Sequence, residues 1–156
     1  FAGMWNDTAP TSSLFSIGNS STTNASSEAM IAYCFADVQG YSKFDSYTGN
    51  GFANGTFVYT GFKPAFIILK TSTIAGNDWI LFDNKRLGYN VSNDSLKPNW
   101  NGSEQTGLDI DILSNGFKLR GAQNDINGSG ATYIYMAFAE APFVANSGQS
   151  IPTTAR

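Results

Sequence analysis

The chain has 156 residues, a formal net charge of −3 and a pI near 4.7. Only nine Lys and Arg residues are spread along it, so neither nucleic acid nor a membrane is expected as a partner. Histidine is absent, which excludes Ser-His-Asp and Cys-His nucleophile systems and the usual zinc sites. Charged residues make up 13% and aromatic residues 14%. This composition favours a β-protein with a surface of amides and hydroxyls, no cofactor and no readable active site.

The chain contains an internal repeat. Residues 14–18 and 30–37 share their layout with residues 116–120 and 133–140, at a spacing of 102 or 103 positions. The matched pairs include Phe15 with Phe117, Asn24 with Asn127, Phe35 with Phe138, and Asp37 with Glu140. Agreement over two strands and their connecting turn indicates a structural unit used twice.

The repeat predicts three parts of the chain. Residues 1–45 would be the C-terminal part of a first β repeat, residues 46–144 a complete β-sandwich repeat, and residues 145–156 a tail. Residues 30–37 and 133–140 would then be equivalent central strands. Because the first residue is Phe1 and no signal peptide follows it, the chain is expected to be a fragment of a longer protein.

Strand signals follow one another through the complete repeat. Short apolar or alternating runs are separated by Gly, Pro and Asn, which is typical of strands and turns. The predicted strands span residues 55–60, 66–70, 78–83, 108–113, 117–120 and 133–139. Such spacing predicts an all-β fold, an antiparallel β-sandwich with jelly-roll or concanavalin-lectin-like topology. No sustained helical periodicity occurs, so helix is limited to a short turn near residues 84–88.

Three local features refine this architecture. Residues 133–139 are apolar on both faces, so this strand is expected to be central and covered on each side. Asn115 and Gly116 predict a type I′ hairpin turn, because both residue types tolerate positive φ. The polar loop of residues 86–107 is a candidate functional loop, or a connection stabilised by an oligomeric neighbour. Cys34 lies in an apolar run and is expected to be a small buried hydrophobe rather than a reactive thiol.

One group of residues suggests carbohydrate recognition. Planar polar groups beside an aromatic ring suit a sugar, which has hydroxyls around its edge and C–H groups on its face. The candidate ligand-binding residues are Trp79, Asp83, Asn84, Arg86 and Trp100. A local alternative is that Asp83 caps a turn and pairs with Lys85 or Arg86, while the tryptophans pack in the core or an interface.

Asp109 and Asp111 alternate with aliphatic residues in one predicted strand. The simplest interpretation is a solvated strand face. A second is a carboxylate pair in a glycosidase. A third is a calcium site that also uses Asn93 and Asp94, although no spaced calcium-loop pattern is present. No catalytic residue and no dedicated metal site are therefore assigned.

Several blocks resemble a repeated β-domain of tail-fibre and other virion proteins of marine bacteriophages. They are TFVYTGFKPAF at residues 56–66, DNKR at 83–86, LSNGFKLR at 113–120 and YIYMAFAE at 133–140. The ending IPTTAR, residues 151–156, is similar to the C-terminus of such proteins. The resemblance implies a C-terminal fragment of a longer protein, located in the virion and in contact with the host surface. It supplies no binding or catalytic residues.

Three functions follow as hypotheses. The first is a non-enzymatic virion structural protein, a distal tail-fibre or receptor-binding module that contacts a host cell-surface glycan. The alternatives are a capsid or tail decoration protein with no ligand, and a polysaccharide depolymerase that uses Asp109 or Asp111. A homo-oligomer that also contacts other virion proteins is expected, with a trimer favoured, because assembly would bury apolar groups such as Phe44, Phe52 or Trp100.

Overall fold

The fold is given by a computed structural model that describes residues 2–142, 144–145 and 151–152. The chain divides into two compact units, with the division between Phe35 and Ala36. The sequence predicted a boundary at residue 45. Much of the predicted tail, residues 145–156, lies outside the described residues.

The second unit contains the β-strands. Their bounds are β1 Ser42–Thr48, β2 Phe57–Tyr59, β3 Pro64–Thr71, β4 Ile80–Asp83, β5 Ile110–Leu113, β6 Gly116–Leu119, β7 Thr132–Ala139, β8 Val144–Ala145 and β9 Ile151–Pro152. One antiparallel sheet has the order β1-β7-β3-β4, a second has the order β2-β6-β5, and β8 pairs with β9. These two main sheets confirm the predicted all-β sandwich. Strand β1 is an addition to the predicted set.

The core of the second unit follows from alternation along the strands. In β3, the side chains of Ile67 and Leu69 are fully buried while their neighbours are partly exposed, as expected for a strand with one face on a core. Aromatic rings join the two sheets: Phe117 of β6 makes edge contacts with Tyr47 and Tyr135 at ring separations of 6.1 and 5.5 Å. Such pairs add to the gain from burying apolar surface.

Strand β7 is central, as predicted, because it pairs with β1 on one side and β3 on the other. Its second face is less covered than predicted, and that part of the prediction is wrong. Ile134 is 44% exposed, while Phe138 lies among rings of its own sheet, 5.8 Å from Phe44 and 5.9 Å from Phe66. Neighbouring side chains of the same sheet shield this face in part.

The hairpin between β5 and β6 differs from the predicted type I′ turn. Leu113 pairs with Gly116, so Ser114 and Asn115 form the two-residue loop. Neither residue has a positive φ, and Gly116 does not either. The glycine instead allows β6 to lie close to β2, since a Cβ on Gly116 would lie 2.1 Å from the carbonyl oxygen of Val58.

The first unit contains two short helices, α1 Ala2–Trp5 and α2 Ser21–Asn24. The strands predicted at residues 14–18 and 30–37 are not formed, and Cys34 is exposed rather than buried. The physical reason is that a central strand needs partners for its backbone groups on both edges. The segment equivalent to β7 has no equivalents of β1 and β3 beside it in this chain.

Among the described residues, no helix is long and apolar enough to cross a membrane.

Candidate functional site

Sheet topology creates a polar cleft at one end of the sandwich. Strand β3 runs antiparallel to both β4 and β7, so the start of β3 and the ends of β4 and β7 lie together. The cleft has a volume of about 360 Å³. Its lining residues are Lys63, Asp83, Asn84, Lys85, Gly88, Tyr89, Asn90, Ser92, Ile112 and Glu140. Two predicted site residues, Asp83 and Asn84, are among them.

Asp83 ends β4 and organises the turn after it. Its Oδ1 accepts hydrogen bonds from the backbone N–H groups of Lys85 and Arg86, at 2.8 and 2.9 Å. Its Oδ2 lies 2.9 Å from Arg86 Nε. The local prediction that Asp83 caps a turn and pairs with a neighbouring cation is confirmed. Side-chain capping of this kind fixes the backbone on which Asn84 stands.

Arg86 is committed to ion pairs. Besides Asp83, its Nη1 pairs with Glu104 of the long loop, and Arg86 is not a lining residue of the cleft. The guanidinium therefore joins the β4 turn to the loop. Its role in this geometry is to support the cleft wall rather than to contact a ligand.

Glu140 follows β7 and carries the negative charge opposite two lysines. Its carboxylate lies 2.7 Å from Lys63 Nζ and 3.8 Å from Lys85 Nζ. The hydrogen bond from Lys63 is the main cause that lowers the pKa of Glu140, and burial opposes it only in part. Glu140 is thus a carboxylate at neutral pH, and the cleft holds two positive and two negative side chains, with Asp83 the second acid.

Two polar side chains of the cleft have unused hydrogen-bonding capacity. Neither Oδ1 nor Nδ2 of Asn84 makes a hydrogen bond of good geometry, although both atoms are buried. The Asn84 amide contributes only weakly to the lowered pKa of Glu140. The hydroxyl of Ser92 is also buried without a partner. Buried polar groups are normally satisfied, so these atoms indicate a place where a ligand or water completes the network.

Tyr89 and Asn90 form the loop side of the cleft. Tyr89 is 70% exposed, which leaves most of its ring available for contact. Asn90 anchors this side, because its Nδ2 donates to the carbonyl of Ile112 at 2.9 Å and its Oδ1 accepts from the N–H of Ile112 at 2.8 Å. The exposed ring is therefore held on a loop that is tied to β5.

The two predicted tryptophans lie outside the cleft. Trp79 immediately precedes β4, and Asp83 ends it, so they are about 13 Å apart by strand rise. Lys70 lies over the Trp79 ring at 5.9 Å and Lys97 over the Trp100 ring at 5.8 Å. The structure thus separates the five predicted binding residues and does not bring them into one site.

A polar cluster connects the segments that carry the two tryptophans. Asp78 lies 2.9 Å from Lys97 Nζ and accepts a 2.8 Å hydrogen bond from Asn99. The hydrogen bond from Lys97, followed by the one from Asn99, lowers the pKa of Asp78. Asn99 also accepts from the backbone N–H of Trp79 at 2.9 Å. These contacts give Asp78 and Asn99 a role in holding the loop to β4.

Asp109 and Asp111 do not share a solvated face, contrary to the simplest prediction. Asp111 is buried, and its Oδ2 lies 2.6 Å from Arg120 Nε. The guanidinium occupies an oxygen that a calcium ion or a substrate would require. Within the described residues, no group of three or more His, Cys, Asp or Glu side chains could hold a metal ion.

Family comparison covers nearly the whole chain. The model of the family described as "Domain of unknown function (DUF7483)" matches residues 1–142. The chain belongs to this family. No curated protein and no solved structure is significantly similar to it.

The cleft contains residues that the sequence did not indicate. Lys63 and Glu140 are far apart in the chain and come together through the antiparallel pairing of β3 and β7, whereas the loop after β4 brings Tyr89 to the cleft. A search for polar residues just before or after predicted strands would have found Lys63 and Glu140. No local signal marked Tyr89, because its importance comes from the path of the loop.

Proposed function

We propose that this chain is a non-enzymatic virion module that binds a host cell-surface glycan, in the manner of a distal tail-fibre or receptor-binding domain. The virion setting rests on the resemblance of residues 56–66, 83–86, 113–120 and 133–140 to bacteriophage fibre domains. The binding role rests on one structural observation. Neither the donor nor the acceptor of the buried Asn84 amide makes a hydrogen bond of good geometry, and Asn84 lines an open polar cleft.

The chemistry of the cleft favours an uncharged sugar. An amide offers a donor and an acceptor side by side, which matches adjacent hydroxyls of a pyranose ring. The charges of Lys63 and Lys85 are balanced by those of Asp83 and Glu140, so the cleft offers no excess charge to an anionic or cationic ligand. Tyr89 supplies an exposed ring for the C–H face of a sugar.

A glycan array of bacterial surface polysaccharides tests this function. We expect the protein to bind at least one neutral glycan, and Asn84→Ala to abolish binding. Asn84→Ala should leave the free energy of unfolding unchanged or slightly higher, because it removes an unsatisfied buried amide. Loss of binding without loss of stability separates a ligand role from a structural one.

Tyrosine variants provide a matched control. Tyr89 is 70% exposed and Tyr59 is 66% exposed, but only Tyr89 lines the cleft. Tyr89→Ala should weaken binding about tenfold, equivalent to about 1.4 kcal/mol, whereas Tyr59→Ala should not change it. Equal effects of the two variants would contradict a site at the cleft.

The array also separates the alternative functions. Absence of binding to every host glycan, with unchanged adsorption to host cells by Asn84→Ala particles, would favour a decoration protein without a ligand. Degradation of a bound polysaccharide, lost in Asp111→Asn, would favour a depolymerase. The ion pair between Asp111 and Arg120 argues against the second outcome.

Assembly into a homo-oligomer, with a trimer favoured, remains part of the proposal. Phe52 and Trp100 are exposed in the single chain, and burial between copies would remove their apolar surface from water. Phe44 differs from them, because it is only partly exposed and lies 5.8 Å from the Phe138 ring. Light scattering of the purified chain measures the number of copies.

A further inference from the structure

Residues 18–28 of the first unit reproduce hydrogen bonds of residues 121–131 in the second. Three hydrogen bonds of the first unit have counterparts 103 positions later. In the first pair, Asn24 N donates to Ser20 O and Asn127 N to Gln123 O, both at 2.8 Å. In the second, Thr23 N donates to Ser20 O and Ile126 N to Gln123 O, both at 3.1 Å. In the third, Asn24 Nδ2 donates to Gly18 O at 2.9 Å and Asn127 Nδ2 to Gly121 O at 2.8 Å. The repeat is therefore present in backbone geometry as well as in sequence.

The side chains of the two copies differ sharply in burial. Tyr133, Tyr135 and Ala137 of β7 and Phe117 and Leu119 of β6 belong to the core of the second unit. Their counterparts in the first unit are exposed, and they are Met30, Ala32, Cys34, Phe15 and Ile17. An apolar face that is buried in one copy thus meets solvent in the other.

Partner strands account for the difference. Strand β7 is buried because β1 and β3 pair with it, and β6 lies between β2 and β5. All four partners precede β6 or β7 in the chain. Residues 2–13 contain the helix α1 and no strand, so they do not supply equivalents. The first unit thus carries the sequence of the two closing strands, which form no strand here.

We propose that residues 14–35 are the closing strands of another copy of the sandwich. Their apolar face docks onto a segment with the strand pattern of residues 36–115, which precedes them in the same polypeptide. In the second unit, β1 to β6 precede β7 in the chain, which supports a docking segment that precedes residues 14–35. A second molecule fits poorly, because its β3 is already hydrogen-bonded on both sides, to β4 and β7.

Cys34 allows a direct test, because it is the only cysteine and is exposed. Its counterpart Ala137 is fully buried. We compare the natural chain with a fusion in which residues 1–13 are replaced by a second copy of residues 36–115. The reaction of Cys34 with a thiol reagent should be at least about tenfold slower in the fusion, since a buried thiol reacts only when the structure opens.

A second fusion guards against poor packing of the new core. It carries Met30→Tyr and Ala32→Tyr, which restore the side chains found at Tyr133 and Tyr135. A matched control fusion carries Ile67→Asp in the added copy, where Ile67 is fully buried in β3. Cys34 should be protected in at least one of the first two fusions, and should react as fast in the control as in the natural chain.

Two results would overturn the proposal. One is that Cys34 reacts equally fast in the natural chain, in the first fusion and in the fusion with Met30→Tyr and Ala32→Tyr. The other is that Cys34 of the natural chain becomes protected as its concentration rises, in step with dimer formation measured by light scattering. The second result would show that another copy of the chain covers the face.

Discussion

At the residue scale, Asn127 connects separate segments of the second unit. It is fully buried. The two hydrogens of its Nδ2 are shared among three acceptors at 2.8–3.0 Å, which are Asn50 Oδ1, the carbonyl of Phe52 and the carbonyl of Gly121. Its Oδ1 accepts from the N–H of Asn50 at 3.0 Å. Because buried backbone groups need partners, this one amide fixes the loop after β1 against the segment between β6 and β7.

Asn127→Ala should lower the free energy of unfolding by about 2–4 kcal/mol, because it leaves several buried groups without partners. Asn101→Ala is the matched control, since Asn101 is exposed, and it should change the value by less than about 0.5 kcal/mol. Urea unfolding followed by circular dichroism measures both. A loss for Asn127→Ala no larger than that for the control would contradict this role.

Buried tyrosines make stability depend on pH in alkaline solution. Burial, followed by the field of Tyr133, raises the pKa of Tyr47 well above 10.0, and its hydroxyl donates to the carbonyl of Ile126 at 2.7 Å. Burial, followed by the charge of Asp45, raises the pKa of Tyr135 to about 12. Below pH 10 the folded and unfolded chains both keep these protons, so stability does not depend on them. Above pH 10 the unfolded chain ionises first, so stability falls as pH rises.

The pH dependence has a defined size. Each such tyrosine should lower the free energy of unfolding by about 1.4 kcal/mol per pH unit between its unfolded and folded pKa values. Tyr47→Phe should therefore reduce the slope above pH 10 by about that amount, although it also removes the hydrogen bond to Ile126. Urea midpoints measured over a series of pH values test this. An unchanged slope in Tyr47→Phe would contradict the raised pKa.

At the element scale, local sequence patterns identified β2 to β7, whose partners lie within the chain, but missed β1. The runs at residues 66–70 and 133–139 correspond to β3 and β7, because an apolar run indicates a strand with at least one buried face. The similar run at residues 30–37 forms no strand. Strand formation depends on neighbouring strands, which the propensities of single residues do not describe. For the same reason the sequence indicated Asp83 and Asn84 but not Tyr89, whose position depends on long-range loop geometry.

Gly116 illustrates an element that depends on the absence of a side chain. A Cβ there would meet the carbonyl oxygen of Val58 in β2 at 2.1 Å. Gly116→Ala should push β2 from β6 and lower the free energy of unfolding by at least about 2 kcal/mol. Gly76→Ala is the control that measures the conformational cost of replacing a glycine where the added methyl group meets no other atom. Gly76 has a φ of +84° and open space around it, so Gly76→Ala should lower the free energy of unfolding by about 1–2 kcal/mol.

Urea unfolding of the two glycine variants measures these losses. Hydrogen exchange of the β2 and β6 amides should be accelerated only in Gly116→Ala, because the clash is local to that pair. A Gly116→Ala protein as stable as Gly76→Ala, with unchanged exchange in β2, would show that the strands accommodate the added methyl group. The contact with Val58 would then not explain the glycine.

At the scale of the whole molecule, the second unit separates two kinds of surface. The cleft lies where β3 begins and β4 and β7 end, and its polar groups include the unsatisfied Asn84 amide. Trp79 lies before the start of β4, where Lys70, at the far end of β3, covers its ring. We propose that the first of these surfaces, and not the second, binds a host glycan.

Backbone NMR spectra recorded during titration with a glycan from the array show which of the two surfaces binds it. We expect the largest shift changes on Asn84, Lys85, Tyr89 and Glu140. Asn84→Ala should remove them while its spectrum otherwise remains that of the folded protein. Shift changes centred on Trp79 and Trp100, or none at glycan concentrations that saturate adsorption, would contradict it.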